Sequence, residues 1–313
     1  MKKIQIGIIT YAKFYNNEPI INLVIYLLHK FAKYPENLEF LLITHYKHPN
    51  FNLNRITNFT NNLNIKTKHI DLGNDKLGHN QTLERTLFKY DADYGFFFDS
   101  DLLCLRENWD ELFINELEKE KTIAIGTSYH KLEQKYMNFP NIMGFFFKRK
   151  EFQDMCSKIL EKPNSSIFAG NKDYVKIIKS KYGHNGYKDH NGKFVRHEIG
   201  FLLPLYFHRN GYKGIPFPCI RLDQIDKCIF SNKEFLEIIN NYNKKYIRKN
   251  IGMTLTRRGF EEYHYNNELM FVHIGAGSLI RFTLFYQTPV FKKFLELLRA
   301  KMNNDPVINT LFK

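Results

Sequence analysis

Tyr94-Gly95-Phe96-Phe97-Phe98-Asp99-Ser100-Asp101 is the stretch that decides the fold. Its first five residues are apolar or glycine without interruption, the pattern of a strand buried on both faces in a parallel sheet. Two carboxylates follow, one residue apart, at the strand's C-terminal end. Side chains at i and i+2 of an extended chain leave on the same side, so Asp99 and Asp101 can face one ligand together. Ligands of open parallel sheets bind beyond the carboxyl ends of the strands. Two hard oxygen donors at that place suit Mg²⁺ or Mn²⁺, ions that complete their shells with phosphate oxygens and water. An isolated D-x-D also occurs as a plain polar turn, and the unbroken apolar run before it favours the ligand site.

Upstream of this stretch, strand and helix signals alternate. Residues 4–10 form an apolar strand, and Asn17, Glu18 and Pro19 open a helix that runs to Tyr34. A strand over 38–44, a polar-faced helix over 51–63 and a strand over 65–70 follow. Asn80 then caps a helix with Leu83, Leu87 and Phe88 on one face. This βαβαβαβ pattern predicts an α/β fold, a mostly parallel sheet flanked by helices. Downstream the spacing predicts helices over 108–118 and 151–161 and strands over 122–127 and 142–148. Residues 162–195 are rich in Gly, Asn, Lys and His without a period, and read as a long loop of the kind that carries function. A helix from His197 to Arg209 is expected to end at Gly211 as a C-cap. A short strand over 269–274 comes next. Pro289 then starts a helix with Val290, Phe291, Phe294, Leu295 and Leu298 on one face.

Composition narrows the class. With 313 residues, 43% hydrophobic and 25% charged, the chain is a folded protein, and disorder, collagen and coiled coil are excluded. Lys and Arg number 46 against 32 Asp and Glu, a formal net charge of +14, which favours anionic partners: nucleic acid, acidic lipid or phosphorylated small molecules. The basic residues are scattered, with no focused basic stretch and no recognised nucleic-acid module, so nucleic acid is not the expected partner. Cys104, Cys156, Cys219 and Cys228 form no CxxC pair, which points to a reducing compartment and against a structural zinc. The opening MKKIQIGIITYAKF reads as a first strand and not as a signal peptide. The apolar stretch 20–28 falls well short of the ~20 residues needed to span a bilayer. The expected location is therefore cytoplasmic, with any membrane met from its surface.

From Asn74 to Leu102 the run NDKLGHNQTLERTLFKYDADYGFFFDSDL resembles the central block of the family 2 glycosyltransferases and their relatives of the GT-A fold. In that block a glycine and an asparagine precede a helix, an acidic-aromatic pair opens a strand, and a D-x-D closes it. Gly78, Asn80, Asp93, Tyr94, Asp99 and Asp101 fall on those positions. The resemblance is close over this block and looser over the first two thirds of the chain. It implies a GT-A-type, Rossmann-like sheet with a mixed C-terminal acceptor-side extension. It also implies a nucleotide-sugar donor whose diphosphate is bridged by Mn²⁺ or Mg²⁺ to Asp99 and Asp101, and a saccharide or lipid-linked saccharide acceptor. On this reading residues 1–125 form the nucleotide-sugar-binding half, 126–225 the acceptor-binding half, and 226–313 a C-terminal helical extension.

The chain departs from the family after the second strand, where Thr44-His-Tyr-Lys-His-Pro-Asn50 stands in place of an acidic, serine-rich turn. Donor contacts must therefore be drawn differently, with Thr10, Tyr11 and Asp71 as candidates for the nucleoside beside Asn80 and Asp99. Tyr11 is suited to stacking on a base, and equally to ordinary packing. A second cluster, Phe271-Val-His273-Ile-Gly275-Ala-Gly277-Ser278, runs from a strand into a glycine-rich turn. Glycines let backbone amides approach phosphate closely. The resemblance implies that His273 supplies a further metal ligand and that Gly275 and Ser278 touch the diphosphate; the alternative is a buried histidine and a plain turn. A third cluster is Arg196-His197-Glu198-Ile199-Gly200. Inverting transfer needs a carboxylate to take the acceptor hydroxyl proton, and Glu198 holds that place by resemblance; a first-turn glutamate facing the helix dipole is the alternative.

Other classes fit less well. A nucleotidyltransferase would carry a glycine-rich, basic signature after the first strand, and 10–16 has no glycine. A non-catalytic sugar-binding relative would have lost an acid of the D-x-D, and both are present. The cationic surface suits an enzyme of surface polysaccharide or glycan biosynthesis working at the inner face of an anionic membrane.

Overall fold

The computed structural model describes residues 2–10, 14–15, 18–44, 53–73, 77, 79–128, 138–161, 167–168, 200, 203–246, 260–274 and 289–311. The first strands are β1 (Ile4–Ile9), the short antiparallel pair β2 (Phe14–Tyr15) and β3 (Glu18–Pro19), β4 (Leu38–Thr44), β5 (Thr67–Asp71) and β6 (Tyr94–Phe98). They are followed by β7 (Leu102–Cys104), β8 (Thr122–Ser128), β9 (Pro140–Lys148) and β10 (Lys213–Phe217). Seven of these form the main sheet, in the order β5-β4-β1-β6-β9-β8-β10. The β1–β4, β1–β6, β4–β5 and β8–β10 pairs are parallel. Only β9 is reversed, running antiparallel to both β6 and β8. The sheet is thus mostly parallel and layered between helices, as expected, and β6 is its central strand.

Both faces of β6 are covered, which is why its sequence has no polar position. Phe96 and Phe98 enter one core with Ile4, Ile6 and Ile8, packed under the helices Ile20–Lys30, Trp109–Leu117 and Pro289–Lys301. Phe97 points the other way, into a core with Phe145, Phe147, Phe152 and Phe207 under the helices His79–Leu87, Arg149–Leu160 and Leu203–Arg209. This alternation is the two-residue period of a strand. Gly95 is required between the rings, because a Cβ there would lie 2.2 Å from the Phe147 ring.

A second sheet, which local sequence signals did not reveal, places the D-x-D. It contains β7 together with β11 (Cys219–Arg221), β12 (Glu261–Tyr265) and β13 (Glu268–His273), in the order β11-β12-β13-β7, antiparallel throughout. The β12–β13 turn is made by Asn266 and Asn267, both left-handed at φ 51° and 64°, a conformation that asparagine tolerates and tight hairpins favour. β7 begins one residue after Asp101. Its pairing with β13 therefore brings Phe271, Val272 and His273 alongside Leu102–Cys104, and His273 beside the D-x-D, across more than 160 residues of chain.

Four local expectations need correction. The helix expected to run to Tyr34 spans Ile20–Lys30, and Glu18 and Pro19 form β3 ahead of it. Phe88 lies beyond the helix His79–Leu87 and is exposed, while Leu83 and Leu87 are buried as expected. Asn80 lies one residue inside that helix instead of ahead of it. The helix expected from His197 begins at Leu203, because Gly200 sits at φ 80°, outside helical backbone, and its carbonyl accepts from the Leu203 N–H. Glu198 itself lies outside the described residues. The other end is as expected, with Gly211 at φ 79° and the Tyr212 N–H closing onto the Phe207 carbonyl.

Candidate active site

The carboxyl ends of the six co-directional strands lie on one edge of the main sheet. β6 ends there into Asp99, whose N–H donates to the Met143 carbonyl and whose own carbonyl accepts from the Leu102 N–H. These bonds make a tight turn that carries the chain from the main sheet into the second one. Asp101 is only 6% exposed, and its carbonyl accepts from the Ile274 N–H at 2.9 Å. The D-x-D and the end of β13 are thus fastened to each other by backbone.

His273, the last residue of β13, faces Asp101. Its Nε2 is 3.7 Å from Asp101 Oδ1, and its Nδ1 is 3.4 Å from Glu261 Oε2. Glu261 also accepts from the Tyr263 hydroxyl at 3.0 Å and pairs with Arg221 Nε at 3.3 Å. Burial alone would lower the pKa of His273. The contact with Glu261 and the negative charges of Asp101, Glu261 and Asp99 outweigh it and hold the imidazole above its ordinary value. Burial alone would raise Glu261, yet His273, Arg221 and Tyr263 pull its carboxyl down to about 2. The site is therefore a row of charged groups in a poorly solvated place.

The donor set fits a divalent cation in part. Among the described residues no three His, Cys, Asp or Glu side chains converge as a complete metal cluster. What is present is a carboxylate and an imidazole facing each other, with the second carboxylate of the D-x-D close enough to act on His273 electrostatically. Magnesium and manganese sites of this kind take one or two protein carboxylates and leave the remaining positions to water and phosphate. Two buried hydroxyls, Ser100 Oγ and Ser128 Oγ, have no hydrogen-bond partner among the described residues. Both belong to the same edge, following β6 and ending β8.

The nucleoside candidates fall on the same edge, farther out. Thr10 follows β1, and its hydroxyl donates to the Ile43 carbonyl at 2.8 Å, so it is engaged in joining β1 to β4. Asp71 ends β5; it is exposed, and its Oδ1 accepts from the Gly73 N–H at 2.9 Å. Thr44 stands between them, with its hydroxyl 2.8 Å from His69 Nε2. Asp93 serves the fold, accepting the Lys3 N–H at 2.7 Å. Arg149 likewise donates through Nε to the Ala92 carbonyl. Tyr11, Glu198, Gly275 and Ser278, together with the side chain of Asn80, lie outside the described residues. Cys104 and Cys156 are buried and Cys219 is half-buried; desolvation pushes all three thiols well above their usual range, and they are not nucleophiles.

Sequence reading missed Glu261, Arg221 and Tyr263. The available signal was the Asn266-Asn267 turn, which announces a hairpin and so a strand opposite His273, without fixing which of its residues faces the imidazole.

No protein-family model matches the sequence, and no curated protein matches it. Among solved structures the chain is similar to the mannosyltransferase PcManGT from Pyrobaculum calidifontis in complex with GDP-Man and Mn²⁺. That match is 12% identical with a TM-score of 0.42 and covers 58% of this chain and 53% of that one. It is also similar to S. aureus TarS 1-349 in complex with UDP-GlcNAc, at 13% identity and a TM-score of 0.38, over 50% of this chain and 48% of that one. A cytidylyltransferase from Leptospira borgpetersenii matches at 12% identity and a TM-score of 0.34, over 64% of this chain and 82% of that one. The chain spans about half the length of the first two.

Proposed function

We propose that this chain is a metal-dependent, inverting glycosyltransferase. It moves a sugar from a nucleoside diphosphate donor to a saccharide or lipid-linked saccharide acceptor, in surface polysaccharide or glycan biosynthesis. One observation carries the reading: Asp101 Oδ1 and His273 Nε2 face each other at 3.7 Å, just past the end of the central strand. That distance is too long for a hydrogen bond. It lies within the roughly 4.2 Å that two donors can span when each is about 2.1 Å from one cation. With Nδ1 directed at the Glu261 carboxylate, the imidazole presents its Nε2 lone pair to Asp101 once the Nε2 proton is given up, and a cation can take that proton's place. Two electron-pair donors facing each other favour a cation between them.

Asp99, Asp101 and His273 are the residues that would hold Mn²⁺ or Mg²⁺. When bound, such an ion neutralises charge developing on the departing nucleoside diphosphate. The remaining roles belong to the chain itself. Gly275 and Ser278 approach the diphosphate through backbone and hydroxyl donors, and Thr10, Tyr11, Asp71 and Asn80 contact the nucleoside. Glu198 takes the proton of the acceptor hydroxyl as that oxygen attacks the anomeric carbon, so the sugar is inverted in a single displacement. Among the described residues no helix is long and apolar enough to cross a membrane. The +14 charge suits work in the cytoplasm, peripheral to the anionic inner face of a membrane.

The test is a screen of nucleotide sugars for Mn²⁺-dependent hydrolysis and thermal stabilisation, run beside nucleoside triphosphates with sugar phosphates. Stabilisation and hydrolysis by a nucleotide sugar are expected. Pyrophosphate release from a triphosphate would replace the reading with a nucleotidyltransferase.

A further inference from the structure

The row of side chains behind His273 crosses the second sheet in register. Arg221 on β11 pairs with Glu261 on β12, Glu261 pairs with His273 on β13, and His273 pairs with Leu102 on β7, the residue after Asp101. Glu261 is the hub, with Arg221 on Oε1 and both the Tyr263 hydroxyl and His273 Nδ1 on Oε2. Arg221 and Glu261 keep only 15% and 11% of their side-chain surface. A buried charge pair is costly to build and seldom stabilises more than apolar residues of the same volume. Its placement next to His273 points to another use. A carboxylate on one imidazole nitrogen fixes the tautomer and ring orientation of the other, the usual outer partner of a ligating histidine.

We propose that Glu261, braced by Arg221 and Tyr263, is a positioning residue that holds His273 with Nδ1–H turned inward and Nε2 turned to Asp101, and so sets the cation affinity of the site. The affinity clause rests on the metal reading above; the orientation clause does not. The geometry is specific, since Glu261 is the register partner of His273 while its neighbour Glu262 leaves the strand on the other face and accepts backbone N–H groups from Ile229, Phe230 and Ser231.

The experiment uses the full chain and two readouts. In metal-free protein at alkaline pH, imidazole nitrogen shifts of His273 report the tautomer: Nδ1–H in the parent, and a mixture in Glu261→Gln. Mn²⁺ titration by calorimetry should show a loss of about 10–100-fold in Glu261→Gln, and no further loss when Glu261→Gln is added to His273→Ala. Tyr263→Phe, which keeps the ring and removes one brace, should shift both readouts in the same direction by less, and stands in if Glu261→Gln does not fold. An unchanged tautomer overturns the proposal, as does a loss of Mn²⁺ affinity of undiminished size in the His273→Ala background, because either would make Glu261 a structural residue only. A folded parent that binds no Mn²⁺ overturns the affinity clause and the metal reading of the function, and the tautomer readout then decides the orientation clause alone.

Discussion

Replacing Asp101 by Asn changes charge and almost nothing else. The side chain keeps its volume at a position only 6% exposed, and the backbone carbonyl still accepts from the Ile274 N–H. What is lost is a unit negative charge 3.7 Å from His273 Nε2. At an effective dielectric of about 20, a charge pair at that separation interacts by roughly 4 kcal/mol. In the cation-free protein the His273 imidazole can release its proton once Asp101 is neutral, so no uncompensated charge is left buried and the stability of Asp101→Asn should stay within about 1–2 kcal/mol of the parent. With Mn²⁺ and a nucleoside diphosphate there is no such offset, and affinity should fall by about 10²-fold or more. Thermal unfolding reads the difference. Ligand at a hundred times its Kd stabilises the parent by about 2.7 kcal/mol, and at a hundredfold weaker Kd by only about 0.4 kcal/mol. With about 2–4 °C per kcal/mol for a chain of this size, a Tm rise of about 5–10 °C in the parent shrinks to about 1 °C in the variant. Turnover should vanish with it. A folded Asp101→Asn protein that keeps the parental Mn²⁺-dependent shift, or Mn²⁺-dependent turnover, refutes the assignment.

Other expectations follow from the same structure. His273→Ala should weaken Mn²⁺ more than Mg²⁺, since imidazole is the softer donor; equal losses for the two ions in calorimetry would return His273 to the core. Glu198→Gln should bind donor and metal normally and lose transfer by about 10²–10⁴-fold, a result that near-parental transfer to the true acceptor would rule out. Glu262, 2% exposed, is pushed up by burial but drawn below its ordinary 4.5 by His264 and the N–H groups of Ile229, Ser231 and Phe230. It therefore stabilises the fold above the unfolded pKa, and that contribution is lost as pH falls through the lower folded value. Glu262→Gln should accordingly cost about 2 kcal/mol at neutral pH and flatten the acid limb of the stability curve in chemical denaturation. Gly126→Ala would put a Cβ 1.8 Å from the Gly144 carbonyl oxygen on the neighbouring strand. Backbone there cannot yield, so a loss of about 3 kcal/mol or more, seen as a fall in denaturation midpoint, is expected.

Local pattern was enough for the layers and for the place of the D-x-D. Five apolar positions in succession at 94–98 can be satisfied only by cover on both faces, and β6 is found at the centre of the sheet with Phe96 and Phe97 in opposite cores. The helix face built from Val290, Phe291, Phe294, Leu295 and Leu298 is likewise buried as its spacing requires. These properties depend on residues within a few positions of one another, and the two-residue and 3.6-residue periods write them into the chain.

Pairing between distant segments has no such local record. The reversal of β9 between β6 and β8, and the joining of β7 to β13, depend on which surfaces are left to bury once the other strands are placed. The helix Leu203–Arg209 shows a nearer limit: it follows the left-handed backbone of Gly200, and glycine permits that conformation without announcing it. The candidate site shows the longest one. His273 was legible as a residue of interest, but counting outward from the Asn266-Asn267 turn would set Phe260 opposite it. An irregularity between Tyr263 and His264 shifts the register by one and brings Glu261 there instead. A one-residue slip turns every side chain beyond it to the other face, so the partner of His273 is decided by how the hairpin packs and not by the residues in it.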